Sequence, residues 1–170
     1  MQKEFSYPLK IDELGQGEQR YSLKADKEQL ITLADILQIP AVKNFEAEMN
    51  LFFQKKKGML EVSGKVNAEL SLISVISLEP FDKKYETNFK VVYDTNAKYE
   101  DIYQDDEDIN LDLPDIVMDG QIDLGDIAIE QLALVLEDHP RMEGEIFDSV
   151  IEDDLTIKHN PFAVLEKLKK

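Results

Sequence analysis

The chain has 170 residues, 43% of them apolar, with no Cys and no Trp. That is enough apolar material for one domain with a full core, and it excludes disulfides, thiolate metal sites and cysteine nucleophiles. The formal charge is −17 and unevenly placed: residues 1–93 hold 13 Lys+Arg against 14 Asp+Glu, residues 94–170 hold 6 against 22. A field this negative repels phosphate backbones and attracts a basic partner.

In chain order, Glu4–Leu9 alternates enough for a strand, with Pro8 placing it at a sheet edge. Gly15-Gln16-Gly17 reads as a turn and Tyr21–Ala25 as a second strand. Asp26 with Gln29 three residues on forms a capping box for a helix over about 27–37. Leu30, Leu33, Ala34 and Leu37 fall on one face of that helix, and Pro40 stops it. Phe45, Ala47, Met49, Leu51 and Phe53 alternate with mostly polar neighbours, giving a half-buried strand. Lys55-Lys56-Lys57-Gly58 is a charged turn, and Leu60 to Leu72 holds period two beyond it, so a hairpin is expected. Gly64 is the expected bend or bulge in this long strand. Strand is expected to continue through Ile73–Leu78 until Glu79-Pro80 breaks it. Another is expected over Tyr85–Tyr93, with Tyr85, Thr87, Phe89, Val91 and Tyr93 inward.

Asp105-Asp106-Glu107-Asp108 repels itself and marks an acidic loop near 96–110. Leu111, Leu113, Ile116, Val117 and Met118 offer short strand pieces after it. Asp123 sits at a cap position for a helix from Leu124 to about Glu137, with Asp126 suiting the positive end of the dipole. Its apolar content predicts packing on most sides, and His139 is placed to close its end. An acidic linker near 142–158 leads to Asn160-Pro161, a cap and first position for a short C-terminal helix carrying Phe162, Leu165 and Leu168 or Lys169 at helical spacing. About ten residues are marginal alone, so this helix must dock on something. The expected fold class is α+β: one domain over 1–170, with a single bent antiparallel sheet of about five to seven strands under two main helices and the short C-terminal one.

No phosphate-binding glycine loop, nucleophile elbow or metal-ligand spacing is present. The Asp105–Asp108 run lacks the spacing and glycine of a calcium loop. No catalytic residue, metal, cofactor or small-molecule substrate is therefore expected. No apolar run reaches membrane-span or signal-peptide length, so a cytoplasmic location is expected.

Three blocks carry a resemblance. They are Leu78-Glu79-Pro80; Ile122-Asp123-Leu124-Gly125 followed by Glu130-Gln131-Leu132-Ala133-Leu134 and Pro140-Arg141; and Pro161-Phe162-Ala163-Val164-Leu165 with Lys167 and Lys169. Their order and spacing resemble the YceD family of large-subunit ribosomal RNA accumulation proteins, in its alphaproteobacterial branch. Many members carry two cysteines ahead of L-E-P. Ser74 and Ser77 stand there in this chain, which removes any thiol or zinc role at that point.

The resemblance implies a part in large-subunit assembly and no catalytic residues; the family's gene neighbours that of a small basic ribosomal protein. By pattern, Leu78, Leu132, Leu134 and Phe162 are core residues and Asp123 a cap. Glu130 and Arg141, charged beside apolar elements, are the better contact candidates, joined by Asp105, Asp106, Glu107 and Asp108 for a basic partner. Charge points to a basic ribosomal protein or a basic face of the large-subunit precursor, with no binding of free RNA. The alternative is a magnesium-dependent RNA-processing enzyme that uses the clustered carboxylates.

Overall fold

The structure is a computed structural model and describes residues 3–97 and 113–147. The fold is α+β. A five-stranded sheet has the order β2(Gly17–Lys24), β3(Ala41–Gln54), β4(Met59–Ile73), β5(Pro80–Asp94), β6(Asp115–Ile116). A separate two-stranded ribbon pairs β1(Pro8–Lys10) with β7(Gln121–Asp123). Among the described residues the helices are α1(Lys27–Leu37) and α2(Leu124–Ala133), with one 3₁₀ turn at Ile11–Glu13.

The expected single antiparallel sheet is corrected twice. β6 runs parallel to β5, pairing Tyr93 with Asp115 and Asp94 with Ile116. A parallel neighbour needs a long connection, and twenty residues separate β5 from β6 in sequence. The N-terminal strand is confined to Pro8–Lys10 and belongs to the ribbon, so Pro8 does sit where a missing N–H is tolerated.

The central strands are as patterned. β3 and β4 pair antiparallel across the Lys55–Gly58 turn, from Gln54↔Met59 to Ala41↔Ser71. Each has 14 or 15 residues, which at about 3.4 Å per residue is close to 50 Å. The bulge falls at Lys43, where pairing steps from Val42↔Leu70 to Asn44↔Glu69, and not at Gly64. The extra residue turns both Val42 and Phe45 inward. Gly64 keeps register with Met49; a Cβ there would lie 2.2 Å from the Glu48 carbonyl oxygen. Its role is to let two backbones approach closely.

One face of the sheet is the core, built on Phe45, Met49, Leu51, Leu60, Val62 and Leu70, all 1% exposed or less. The opposite face is solvated and carries exposed ion pairs such as Lys65–Glu86 and Lys90–Glu61. α1 packs on β3, and α2 on β4, β5 and β1. Helices of 11 and 10 residues span only about 15 Å, so other segments complete the cover. Phe5 is buried and meets Tyr7 and Phe45 edge-on, with ring centroids at 5.1 and 5.0 Å. Ile11, Leu14 and Ile122 join the same core.

α1 has the expected bounds. The Asp26 carboxylate accepts from the N–H groups of Glu28 and Gln29, and the Gln29 side chain accepts from Asp26 N–H. Its end is closed by Gln38 in the left-handed region, with φ 55.

α2 ends at Ala133, short of the expected Glu137, in tight turns from Val135 N–H to the Leu132 carbonyl and from Leu136 N–H to that of Ala133. Five of its ten residues are buried, Leu132 among them, whereas Leu134, expected in the helix and in the core, lies just past its end and is 71% exposed. His139 lies six residues beyond the helix and does not close it. The loop near 96–110, from residue 98 on, and the C-terminal helix fall outside the described residues.

Candidate functional site

β4 ends at Ile73, and Ser74–Leu78 is a turn rather than the expected strand. Ser74 makes the turn. Its side chain is fully buried, and its Oγ accepts from the N–H groups of Ile76 (3.2 Å) and Ser77 (3.3 Å). Its backbone carbonyl accepts from Leu78 N–H and its N–H donates to the Glu79 carbonyl, both at 2.9 Å. Leu78 closes the turn at φ 60, a left-handed conformation that costs an L side chain roughly 1–2 kcal/mol. β5 then starts on Pro80, so this proline opens a strand instead of breaking one.

A second segment is hooked onto that turn. Val75 N–H donates to the Pro140 carbonyl at 2.9 Å. Ser74 Oγ donates to the Glu145 carboxylate, which also accepts from Met142 N–H at 2.9 Å. The hydroxyls of Ser74 and Ser77 hold the Glu145 carboxyl below its ordinary value. The first residues of the expected 142–158 linker are thus a bonded turn, Met142–Glu145, carrying a clasp.

Between turn and hook lies a groove of about 1200 Å³. Val75, Ile76, Phe81, Met142, Ile146 and Phe147 give it an apolar lining. Ile146 and Phe147 are 83% and 75% exposed, far more than core side chains. Lys83 and Glu137 pair across one side at 2.5 Å. The Lys83 ammonium stands 5.3 Å from the centroid of the Tyr85 ring. Burial pushes the Tyr85 hydroxyl up, with the Lys83 charge acting against it, and that hydroxyl has no hydrogen-bond partner among the described residues.

The structure brings Val75, in the turn that leads to Leu78-Glu79-Pro80, against Pro140, 65 positions further along the chain. Leu78 is 75% exposed, which corrects its reading as core; it sits in the turn beyond the end of β4, off the alternation that buries every second residue of the strand. Arg141 is exposed and lines the groove.

Asp123, Leu124 and Gly125 lie at the other end of α2. The Asp123 carboxylate accepts from the N–H groups of Gly125 (2.8 Å), Asp126 (3.2 Å) and Tyr7 (2.9 Å) and from the Ser6 hydroxyl. Burial works to raise its pKa, and these donors together outweigh it and lower it. Leu124 is fully buried. A Cβ on Gly125 would lie 2.1 Å from the Phe5 carbonyl oxygen, so only glycine fits under the N-terminal arm.

Glu130 is exposed on α2 but does not line the groove. Its charge acts on Tyr93, whose hydroxyl is pushed up to about 12 by burial first and then by Asp115 and Glu130. Asp105, Asp106, Glu107, Asp108, Pro161, Phe162 and Leu165 lie outside the described residues. Ser74 and Glu145 went unread as a pair because nothing in local spacing links positions 71 residues apart.

The model of the protein family described as large ribosomal RNA subunit accumulation protein YceD matches residues 62–169, well over half of the chain. The match takes in the turn, its hook and the 160–169 block. No curated protein matches the chain, and no solved structure matches it.

Proposed function

We propose, from the premise that this chain belongs to the YceD family of large ribosomal RNA subunit accumulation proteins, that it supports assembly of the large ribosomal subunit as a non-enzymatic, cytoplasmic factor. The family match carries this reading. The finer part, that it binds a basic ribosomal protein or a basic face of the assembling subunit, is supported by the charge of residues 94–170, where 22 acidic residues stand against 6 basic ones. Such a field speeds encounter with a cationic surface and disfavours bare phosphate.

The enzyme alternative would be favoured by carboxylates converging on a metal position. Among the described residues no group of three His, Asp or Glu is placed to hold a metal ion.

Tagged protein retained from lysate at low and high salt tests the proposal. Large-subunit ribosomal proteins should be retained and released as salt rises past about 0.15 M, where the screening length is roughly 8 Å. Retention of free RNA that survives high salt would contradict it, and would direct attention to Lys55, Lys56 and Lys57 at the hairpin tip.

A further inference from the structure

The groove beside the β4–β5 turn is an apolar cleft with exposed side chains, and the chain that leaves it carries a matching element. Phe147 lines the groove, and twelve residues, 148–159, separate it from Asn160. Twelve residues reach at most about 40 Å, and a flexible tether of that length averages roughly 20 Å. Whatever follows it is held at the groove at millimolar effective concentration.

Residues 160–170 begin with a cap, Asn160, and a proline at the first helical position. Phe162, Leu165 and Leu168 recur at the three-residue spacing by which an amphipathic helix fills an apolar groove. Such a short helix is not stable in water by itself.

The charges agree. The groove presents the carboxylates of Asp82, Glu137, Glu143 and Glu145 against Lys83 and Arg141, with Asp82 paired to Lys43 and Glu137 to Lys83, so that Glu143 and Glu145 are its carboxylates outside those ion pairs, whereas residues 160–170 carry three lysines and one glutamate.

We propose that the groove is the seat of the chain's own C-terminal segment, residues 160–170, docked as an amphipathic helix with Phe162 and Leu165 inward. This does not rest on the assembly reading above and stands or falls separately. Docking brings Lys169, at the end of the same face, and the neighbouring Lys170 to the acidic lining, and turns Lys167 to solvent. It also places Pro161-Phe162-Ala163-Val164-Leu165 between the turn that carries Val75 and Ile76 and the segment that carries Arg141.

The chain has no cysteine, so engineered pairs are clean probes. Val75→Cys with Leu165→Cys is compared in the full chain with Val75→Cys with Lys167→Cys. The tether is nearly the same, but positions 165 and 167 face opposite sides of a helix. Docking predicts that the first pair forms an intramolecular disulfide about ten-fold faster under mild oxidation, because orientation adds to proximity. Equal rates would mean an undocked tether and overturn the proposal. Crosslinked dimers would place the segment on a second copy and overturn it equally.

A second measurement avoids changing the groove. Phe162→Asp with Leu165→Asp should shift the backbone amide resonances of Val75, Ile76 and Met142, with the β3–β4 core unmoved. Unchanged resonances there would contradict docking and leave the groove to a separate partner.

Discussion

Gly125 shows how closely a single position is specified. The missing Cβ is what lets the Phe5 carbonyl lie against the start of α2, while Asp123 two residues earlier ties Ser6 and Tyr7 to the same point. Gly125→Ala should therefore destabilise the protein by about 1–3 kcal/mol, the usual cost of forcing atoms into a packed site. Chemical denaturation gives the number, and a neutral or stabilising effect would refute the contact. Glu145 is specified by hydrogen bonds instead. Its folded pKa is depressed, so the clasp's contribution is present above the ordinary value of 4.5 and lost as pH falls through the lower folded value. The amide resonance of Met142 should titrate with a midpoint below 4.5, and Glu145→Gln should abolish that titration. A midpoint at or above 4.5 would show that Ser74 and Ser77 do not hold the carboxylate.

At the scale of elements, the legible parts were those with a local cause. α1 is legible at both ends because its capping box and apolar face lie within the twelve residues Asp26–Leu37. β3 and β4 were readable because one buried face imposes period two over their whole length. Where no local signal exists, the reading went astray. Ile73–Leu78 is as apolar as a strand, but the buried Ser74 hydroxyl captures two backbone N–H groups and turns the chain. Leu132 to Leu136 is uniformly apolar, so periodicity cannot show where α2 stops; tight turns stop it at Ala133. β6 has two residues and no pattern, and its parallel pairing needs a long connection. The contrast between Leu132 and Leu134 tests the α2 boundary. Leu132→Ala should cost about 2–5 kcal/mol as a core truncation, whereas Leu134→Ala should stay within about 0.5 kcal/mol. Equal costs would mean that Leu134 is packed in the core as Leu132 is.

At the scale of the whole molecule, the first 93 residues are almost neutral and build most of the sheet, while the rest carry the charge, α2 and the hook. The candidate site was half legible. The blocks beside it could be read as separate motifs, but the approach of Val75 to Pro140 is a long-range hydrogen bond that no spacing encodes. Exposed charges chiefly steer encounter. Replacing Asp105, Asp106, Glu107 and Asp108 by Asn and Gln should slow association with a basic ribosomal partner more than it speeds dissociation, as stopped-flow mixing would show. A change confined to dissociation would place those residues inside the interface. The central claim is tested most directly by depleting the protein from its own cells and measuring the ratio of large- to small-subunit ribosomal RNA. The account predicts that the ratio falls and that restoring the protein recovers it; a ratio that stays unchanged on depletion would contradict it.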